Sequence, residues 1–349
     1  MYTIIDYIKY YKNFTIKDIN WNMMDNLIVA IISYFPLKDF KEKKLSEACQ
    51  DVLDLNIVTK SPMMNGVLDV TKEIINAKRY QNAKIINFIN RRDKNTQFGA
   101  LTFTLDNIKT ISFKGTDSST IGWLEDFRLW YEYPTYTQKL AIEYVRDNIN
   151  ILDNNIYLVG HSKGGNLAEI AGMELSPLLL PKIKKIISFD GPGLRPKEFE
   201  SIKYKNIQRK LNVIVPSGSY VGTLMLNKNP IAIKTNTMGI NVHYPTNWLV
   251  FGEHFVTSSL STISKEFHAS SVNSFKEIKD EELKDVIETL FKTLNKDNDA
   301  DLKINFNELG TIYQNMKNID PKIRNYINKI FGALTSGFGK KGDEHGQKN

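Results

Sequence analysis

Gly160-His161-Ser162-Lys163-Gly164 places a serine between two glycines at the end of the apolar run Ile156 to Val159. The spacing G-x-S-x-G is that of a nucleophile elbow. There the serine stands on a strained strand-to-helix turn, and the flanking glycines let neighbouring backbone pass without a Cβ clash. A serine hydroxyl is a weak nucleophile at neutral pH, so acyl chemistry also needs a base within hydrogen-bond reach and an acid that holds the base in one tautomer. Of five histidines, His161 lies inside the elbow and His345 near the C-terminal end, which leaves His243, His254 and His268 as bases. His243 is favoured because VHYPTNW reads as a loop between late strands, which would carry it over the sheet edge. Asp190 in SFDGPG, ending the strand after the elbow helix, is the favoured acid, with Glu253 and Asp117 as alternatives. The commoner place for this acid is one strand later, but that turn reads PSGSYVG and has no carboxylate. The expected oxyanion donors are the backbone N–H of Lys163 and the N–H and hydroxyl of Thr116, which follows the run ending at Phe113. A turn or helix cap is the competing role for Thr116.

These residues need an element each to hold them. Phe98 to Leu105 and Asn107 to Phe113 read as a hairpin, and Ile156 to Val159, Ile183 to Phe189, Leu211 to Val215, Ile231 to Lys234 and Asn247 to Phe251 read as further strands. Helical patterns lie between them, at Thr120 to Tyr131, Thr135 to Asn148 and Asn166 to Leu175. Alternating strands and helices predict an α/β fold with a mainly parallel, helix-covered sheet, whose chemistry gathers at the carboxyl ends of the strands. Trp123, Phe127 and Trp130 make an aromatic stripe at helical spacing, expected to pack on that sheet rather than to bind acyl chains. Residues 1–95 read as an N-terminal helical region packed on the core. In it Met24 to Tyr34 is apolar on nearly all sides and therefore buried, and Leu45 to Leu55 is amphipathic. Residues 96–260 form the core, 261–336 a C-terminal helical region, and 337–349 a flexible polar tail.

Composition narrows the class. A chain of 349 residues can bury a large core. Its formal charge of +7 comes from lysines spread throughout and mixed with acids, which argues against a nucleic-acid surface. The single cysteine, Cys49, excludes an internal disulfide framework and a cysteine zinc site, and reads as a small core residue. The N-terminus lacks the pattern of a secretory signal and no segment has the roughly 18 apolar residues of a membrane span, so the expectation is a soluble cytoplasmic protein without an integral membrane segment. Transient contact with a membrane surface stays open. Asp297, Asp299, Asp301, Asn305 and Glu308 fall at EF-hand loop positions, with Ile304 between them, but Leu302 stands where the sharp turn calls for glycine. The favoured reading is a solvated acidic loop, with no metal and no cofactor.

Taken together, IIDYIKYYKNFTIKDINWNMMDNLIVAIISY, ISFKGTDSSTIGWLEDF, YLVGHSKGGNLAEIAG, ISFDGPG, VIVPSGSYVG and HYPTNW resemble the Mbeg-like family of bacterial α/β-hydrolase relatives, close in pattern to class 3 lipases. The resemblance spans most of residues 1–250. It implies an α/β-hydrolase fold in which Thr116 is the oxyanion residue, Ser162 the nucleophile and His243 the base. The chain departs from the lipase pattern after VIVP, where an aspartate would be expected. The function so implied is a serine esterase or lipase-like hydrolase acting on a carboxylic ester, lipid or acyl, through an acyl-enzyme on Ser162. The alternative is a catalytically inactive binding or scaffold protein that keeps the fold.

Overall fold

Ile108–Phe113 and Ile156–His161 carry β-branched and aromatic residues in short runs, and every one of their side chains is buried, as in strands covered on both faces. In the structure, a computed structural model describing residues 1–93, 96–116, 120–277 and 279–294, they lie at the centre of an eight-stranded sheet. Its strands are Lys43–Lys44 (β1), Lys84–Arg92 (β2), Gln97–Leu105 (β3), Ile108–Phe113 (β4), Ile156–His161 (β5), Ile183–Phe189 (β6), Leu211–Pro216 (β7) and Ile231–Ile233 (β8). They follow one another in sequence order across the sheet. The β1–β2, β2–β3 and β3–β4 pairs are antiparallel, and every pair from β4–β5 to β7–β8 is parallel. A two-stranded hairpin, Val250–Phe251 (β9) with His254–Phe255 (β10), stands apart.

The helices form two layers. Ile4–Tyr11 (α1), Met23–Ile32 (α2), Leu45–Asp54 (α3) and Pro62–Ile74 (α4) share one apolar cluster with Tyr157, Val159, Ile187 and Ile214 of the sheet. Thr120–Arg128 (α5) precedes Tyr136–Asn148 (α6), and Lys163–Met173 (α7) follows the elbow. The short Pro196–Phe199 (α8) and Ile202–Ile207 (α9) lie between β6 and β7. Side chains of α6, α7 and α9 pack on Ile156, Leu158 and Ile186 from the opposite side. Successive residues of β5 thus feed opposite layers, as a strand's two-residue period requires. Met23 apart, every residue of α2 is buried, which matches its all-round apolar sequence. The helix starts on a reciprocal cap: the Asn22 side chain accepts from the Met24 N–H and Asp25 accepts from the Asn22 N–H. Cys49 is buried on α3, whereas Leu55, just past that helix, is exposed.

Three features differ from the sequence reading. Lys84–Arg92 is a strand, although residues 1–95 read as helical. The β2–β3 register shifts between Ile85 and Asn87, and this irregularity breaks the alternation that would have marked the strand. Of the expected strand Asn247 to Phe251 only Val250–Phe251 forms a strand, because Pro245–Asn247 is a 3-10 turn, with Trp248 after it making an isolated bridge to Thr235. Phe127 and Trp130 belong to neither of the two apolar clusters that contain sheet residues. They join Met225 in a third cluster with Leu283 and Ile287 of the helix Asp280–Leu294 (α11), which follows Thr262–Glu277 (α10). The acidic loop Asp297 to Glu308, the helical pattern beyond it and the polar tail lie outside the described residues. Among the described residues, no helix is long and apolar enough to cross a membrane.

Candidate active site

The register of the parallel strands brings four carboxyl ends to one edge. Phe113 pairs with Gly160, His161 with Phe189, and Phe189 with Ile214. The residues that follow these ends are therefore neighbours in space. Ser162 has φ 59° and ψ −133°, a strained backbone for a residue with a side chain, and heads α7 directly. A Cβ on Gly160 would collide with the Gly164 carbonyl, and one on Gly164 with the Phe113 carbonyl, so both glycines of the motif are required by close packing. The Ser162 N–H donates to the Phe189 carbonyl at 3.0 Å, and the Asp190 N–H to the Ile214 carbonyl at 2.8 Å.

Asp190 lies at the end of β6, fully buried, with φ 52°. Its Oδ2 is 2.6 Å from His243 Nδ1, and its Oδ1 accepts the Gly222 N–H at 3.0 Å. The turn after β7 has no carboxylate of its own, yet it supplies the donor that orients Asp190. A carboxylate oxygen accepts here, so Nδ1 of His243 carries the hydrogen and Nε2 is left with the lone pair. His243 ends the 3-10 turn Gly239–His243, and the preceding carbonyl, of Val242, accepts from the buried Trp248 indole at 2.7 Å. Ser162, Thr116 and His243 are partly exposed, whereas Asp190, His161 and Lys163 are buried. The groups that would meet a ligand are open, and the groups that hold them are not.

Thr116 follows Gly115 in the turn after β4, and its hydroxyl donates to Asp126 Oδ2 on α5 at 2.6 Å. Burial pushes the Asp126 carboxyl up to about 6, against the lowering effects of the Lys163 charge and the Thr116 hydroxyl. Lys163 presents its backbone N–H at the start of α7, but its side chain points into the protein. Nζ donates to the Gln97 carbonyl at 2.9 Å, Gln97 Oε1 at 2.8 Å and Glu125 Oε2 at 2.7 Å. Those three bonds use all its hydrogens. Burial raises the Glu125 carboxyl, and Lys163 acts in the opposite direction. Gln97 also donates through Nε2 to the Gly115 carbonyl at 3.3 Å, which ties the Thr116 turn to the elbow helix through one side chain.

The other candidates lie elsewhere. Glu253 sits in the turn between β9 and β10, within electrostatic range of Tyr7 and Tyr11 of α1. His254 is exposed on β10, and His268 on α10 has Nδ1 2.9 Å from the Thr223 carbonyl. Asp117 lies outside the described residues. Gly222, Asp126, Gln97 and Tyr34 join the site without being among the sequence candidates. Asp126 left a signal, a carboxylate in the helix directly after the Thr116 turn. Tyr34 left a weaker one, a phenol at the end of a segment otherwise apolar all round. Among the described residues no group of His, Cys, Asp and Glu is arranged to hold a metal ion.

A family model described as Mbeg1-like matches residues 74–292. No curated protein matches the chain. Among solved structures the chain is similar to the M37 lipase, at 14% identity and a TM-score of 0.39, over 73% of this chain and 81% of that one. It is similar to the Rhizomucor miehei lipase in its propeptide complex, at 13% identity and a TM-score of 0.38, over 72% and 78% of the two chains. A third similar structure is the extracellular lipase LipA from Serratia marcescens, at 13% identity and a TM-score of 0.34, over 57% and 40%.

Proposed function

The chain belongs to the Mbeg1-like family, and from that premise we propose that it is a serine hydrolase of α/β-hydrolase fold that cleaves a carboxylic ester, lipid or acyl. The observation that carries the reading is the 2.6 Å contact of His243 with the buried Asp190, beside a serine on a strained elbow. Ser162 Oγ attacks the ester carbonyl carbon while His243 Nε2 takes the hydroxyl proton. The carbonyl oxygen becomes an oxyanion that the N–H groups of Lys163 and Thr116 receive. On collapse the C–O bond to the leaving group breaks, Nε2–H protonates the departing alkoxide, and the acyl group remains on Ser162. Water, deprotonated by the same nitrogen, then releases the acid and restores the serine. Asp190 keeps hydrogen on Nδ1 throughout and stabilises the imidazolium that forms.

The acyl part of the reading rests on the surroundings of His243. Ile240 lies in the same 3-10 turn and, like Leu224 and Phe267, packs against the apolar cluster that holds Phe127 and Met225. A fluorophosphonate probe tests the chemistry: the expected result is one adduct on folded wild-type protein that Ser162→Ala abolishes. A folded wild type that takes no adduct on Ser162 overturns the reading and leaves a binding or scaffold protein. A series of p-nitrophenyl esters tests the acyl part, with rates expected to rise with chain length; a preference for acetyl removes the lipid assignment.

A further inference from the structure

His161, the residue before Ser162, is engaged at both ring nitrogens. Its Nδ1 is 2.9 Å from the Tyr34 hydroxyl, and its Nε2 is 2.8 Å from the backbone carbonyl of His243. The His161 and His243 rings pack with centroids 4.5 Å apart and planes inclined by 36°. His161 and Tyr34 are both buried. Tyr34 stands just past the end of α2, outside residues 74–292 matched by the family model, and reaches the site from the N-terminal helical layer. A Cβ on Gly115 would collide with the Tyr34 hydroxyl and lie 2.9 Å from Ser162 Cβ, so the glycine before Thr116 leaves the space that the phenol fills. One hydroxyl therefore touches the turn that carries Thr116 and the residue that precedes Ser162.

The donor and acceptor roles follow from chemistry. A carbonyl oxygen only accepts, so Nε2 of His161 must carry a hydrogen. Burial, followed by the neighbouring His243, holds the His161 imidazole well below its ordinary basicity, which leaves it neutral. A neutral ring with hydrogen on Nε2 has a bare Nδ1, and the hydrogen in the Tyr34 contact then comes from the phenol. We propose that Tyr34 and His161 are positioning residues for His243: the Tyr34 hydroxyl fixes the His161 tautomer, and the His161 Nε2–H anchors the main chain of His243. His243 is then held at two points, its ring by Asp190 and its backbone by His161. Its Nε2 lone pair keeps one direction while the ring gains and loses a proton. Neutrality of His161 matters as well, because a second cation 4.5 Å away would oppose the imidazolium that forms. The consequence for turnover rests on the serine-hydrolase reading; the tautomer does not.

The test uses the full chain labelled with nitrogen-15 at histidine, together with Tyr34→Phe, His161→Gln and His161→Leu. In wild type the His161 signals should show hydrogen on Nε2 and a bare Nδ1 between pH 5 and 9. Tyr34→Phe, which removes one oxygen, should move the His161 Nδ1 signal and slow fluorophosphonate labelling of Ser162 about tenfold. His161→Leu should slow labelling about 10²-fold, the scale of a misplaced reacting group. His161→Gln keeps an N–H donor at that reach and should recover part of the loss. The proposal is overturned by a wild-type His161 with hydrogen on Nδ1 or carrying charge, by unchanged His161 signals in Tyr34→Phe, or by wild-type labelling in folded His161→Leu. Absence of label on wild-type Ser162 sinks the hydrolase reading instead, and the tautomer measurement still decides the Tyr34 contact.

Discussion

Two buried polar clusters lie at the two ends of α2, and they are finished differently. At its start, Asp25 accepts from Arg79 Nε and Nη2, each at 2.7 Å, from the Tyr80 hydroxyl at 2.7 Å and from the Asn22 N–H at 2.9 Å. The other hydrogens of Arg79 go to the carbonyls of Thr15, Ile19 and Asn20. Both side chains of that ion pair are almost wholly shielded from water. Beyond the other end, Tyr34 leads through His161 to His243 and Asp190, next to the Lys163–Glu125 pair and Asp126. There Asp126 Oδ1 and Glu125 Oε1 are buried and find no partner among the described residues, while Thr116, Ser162 and His243 keep open faces. The Asp25–Arg79 pair is saturated and holds chain segments together, although Asn26 Oδ1 and Trp21 Nε1 near it are also buried without a partner among the described residues. What sets the second cluster apart is that its unpartnered carboxylate oxygens lie beside accessible groups. A cluster with unused polar capacity beside accessible groups is what a site looks like when part of its hydrogen bonding is reserved for a ligand.

Substitution at each cluster should therefore fail in its own currency. Asp190→Asn fits a buried position with positive φ, because asparagine tolerates that backbone. With its amide oxygen kept on the Gly222 N–H, the NH2 replaces Oδ2 opposite His243 Nδ1 and favours the wrong tautomer, and ester hydrolysis should fall by about 10⁴-fold with the thermal midpoint nearly unchanged. A loss below about tenfold would break the contrast by showing that Asp190 is a structural carboxylate like Asp25. Arg79→Met should do the reverse. It strips a buried carboxylate of its charge partner and three carbonyls of their donor, at a cost of about 3–5 kcal/mol of stability. Denaturant titration should show that loss, while the fraction still folded at low temperature labels at the wild-type rate.

The contrast also explains what could be read from the sequence. Gly160 to Gly164 announced itself because a strained turn between close-packed backbones leaves no choice of residue. β4 to β7 announced themselves because strands buried on both faces are short runs of apolar residues. Asp190 could be read from its place at a strand end and His243 from its loop between late strands, but the donor to Asp190 is the backbone of Gly222, and main-chain groups carry no signature in composition. Lys84–Arg92 was hidden by the register shift near Asn87. Arg79 and Asp25 are far apart in the chain, and nothing in a single sequence distinguishes a buried arginine from a solvated one. The path from Tyr34 to His243 is of the same kind, long-range and specified by shape.

Glu169 sharpens the comparison from a third position. It lies on α7 with neither carboxyl oxygen partnered among the described residues, and burial alone pushes it up to about 8 from an ordinary 4.5. A carboxyl raised in the folded state binds its proton more tightly than in the unfolded chain. The stability it lends is complete below about pH 4.5 and is lost as pH rises through about 8. The expected decline is about 3 kcal/mol between pH 5 and 8. Glu169→Gln should flatten that slope without changing the labelling rate at pH 7. If the slope persists in the variant, another group carries it and Glu169 belongs with the satisfied carboxylates.

The smallest effect concerns the one hydrogen of the Thr116 hydroxyl. It is committed to Asp126 at 2.6 Å, so only the Thr116 N–H is free to meet an oxyanion while Asp126 is ionised. A true oxyanion donor is worth about 10²–10³-fold. Thr116→Val, which keeps the N–H, should therefore slow acylation by no more than about tenfold at pH 8, or roughly 1.4 kcal/mol in the barrier. Burial places the Asp126 titration at about 6. Below that pH the protonated carboxyl can itself donate to Thr116 Oγ1 and release the hydroxyl hydrogen toward the substrate, so the ratio of wild type to Thr116→Val should widen between pH 8 and 5. Ratios of acylation rates at the two pH values isolate that difference, because any ionisation common to wild type and variant cancels. A ratio that is already 10² at pH 8 would mean that the hydroxyl leaves Asp126 in the transition state, and that the unused capacity of Asp126 serves the reaction rather than the resting site.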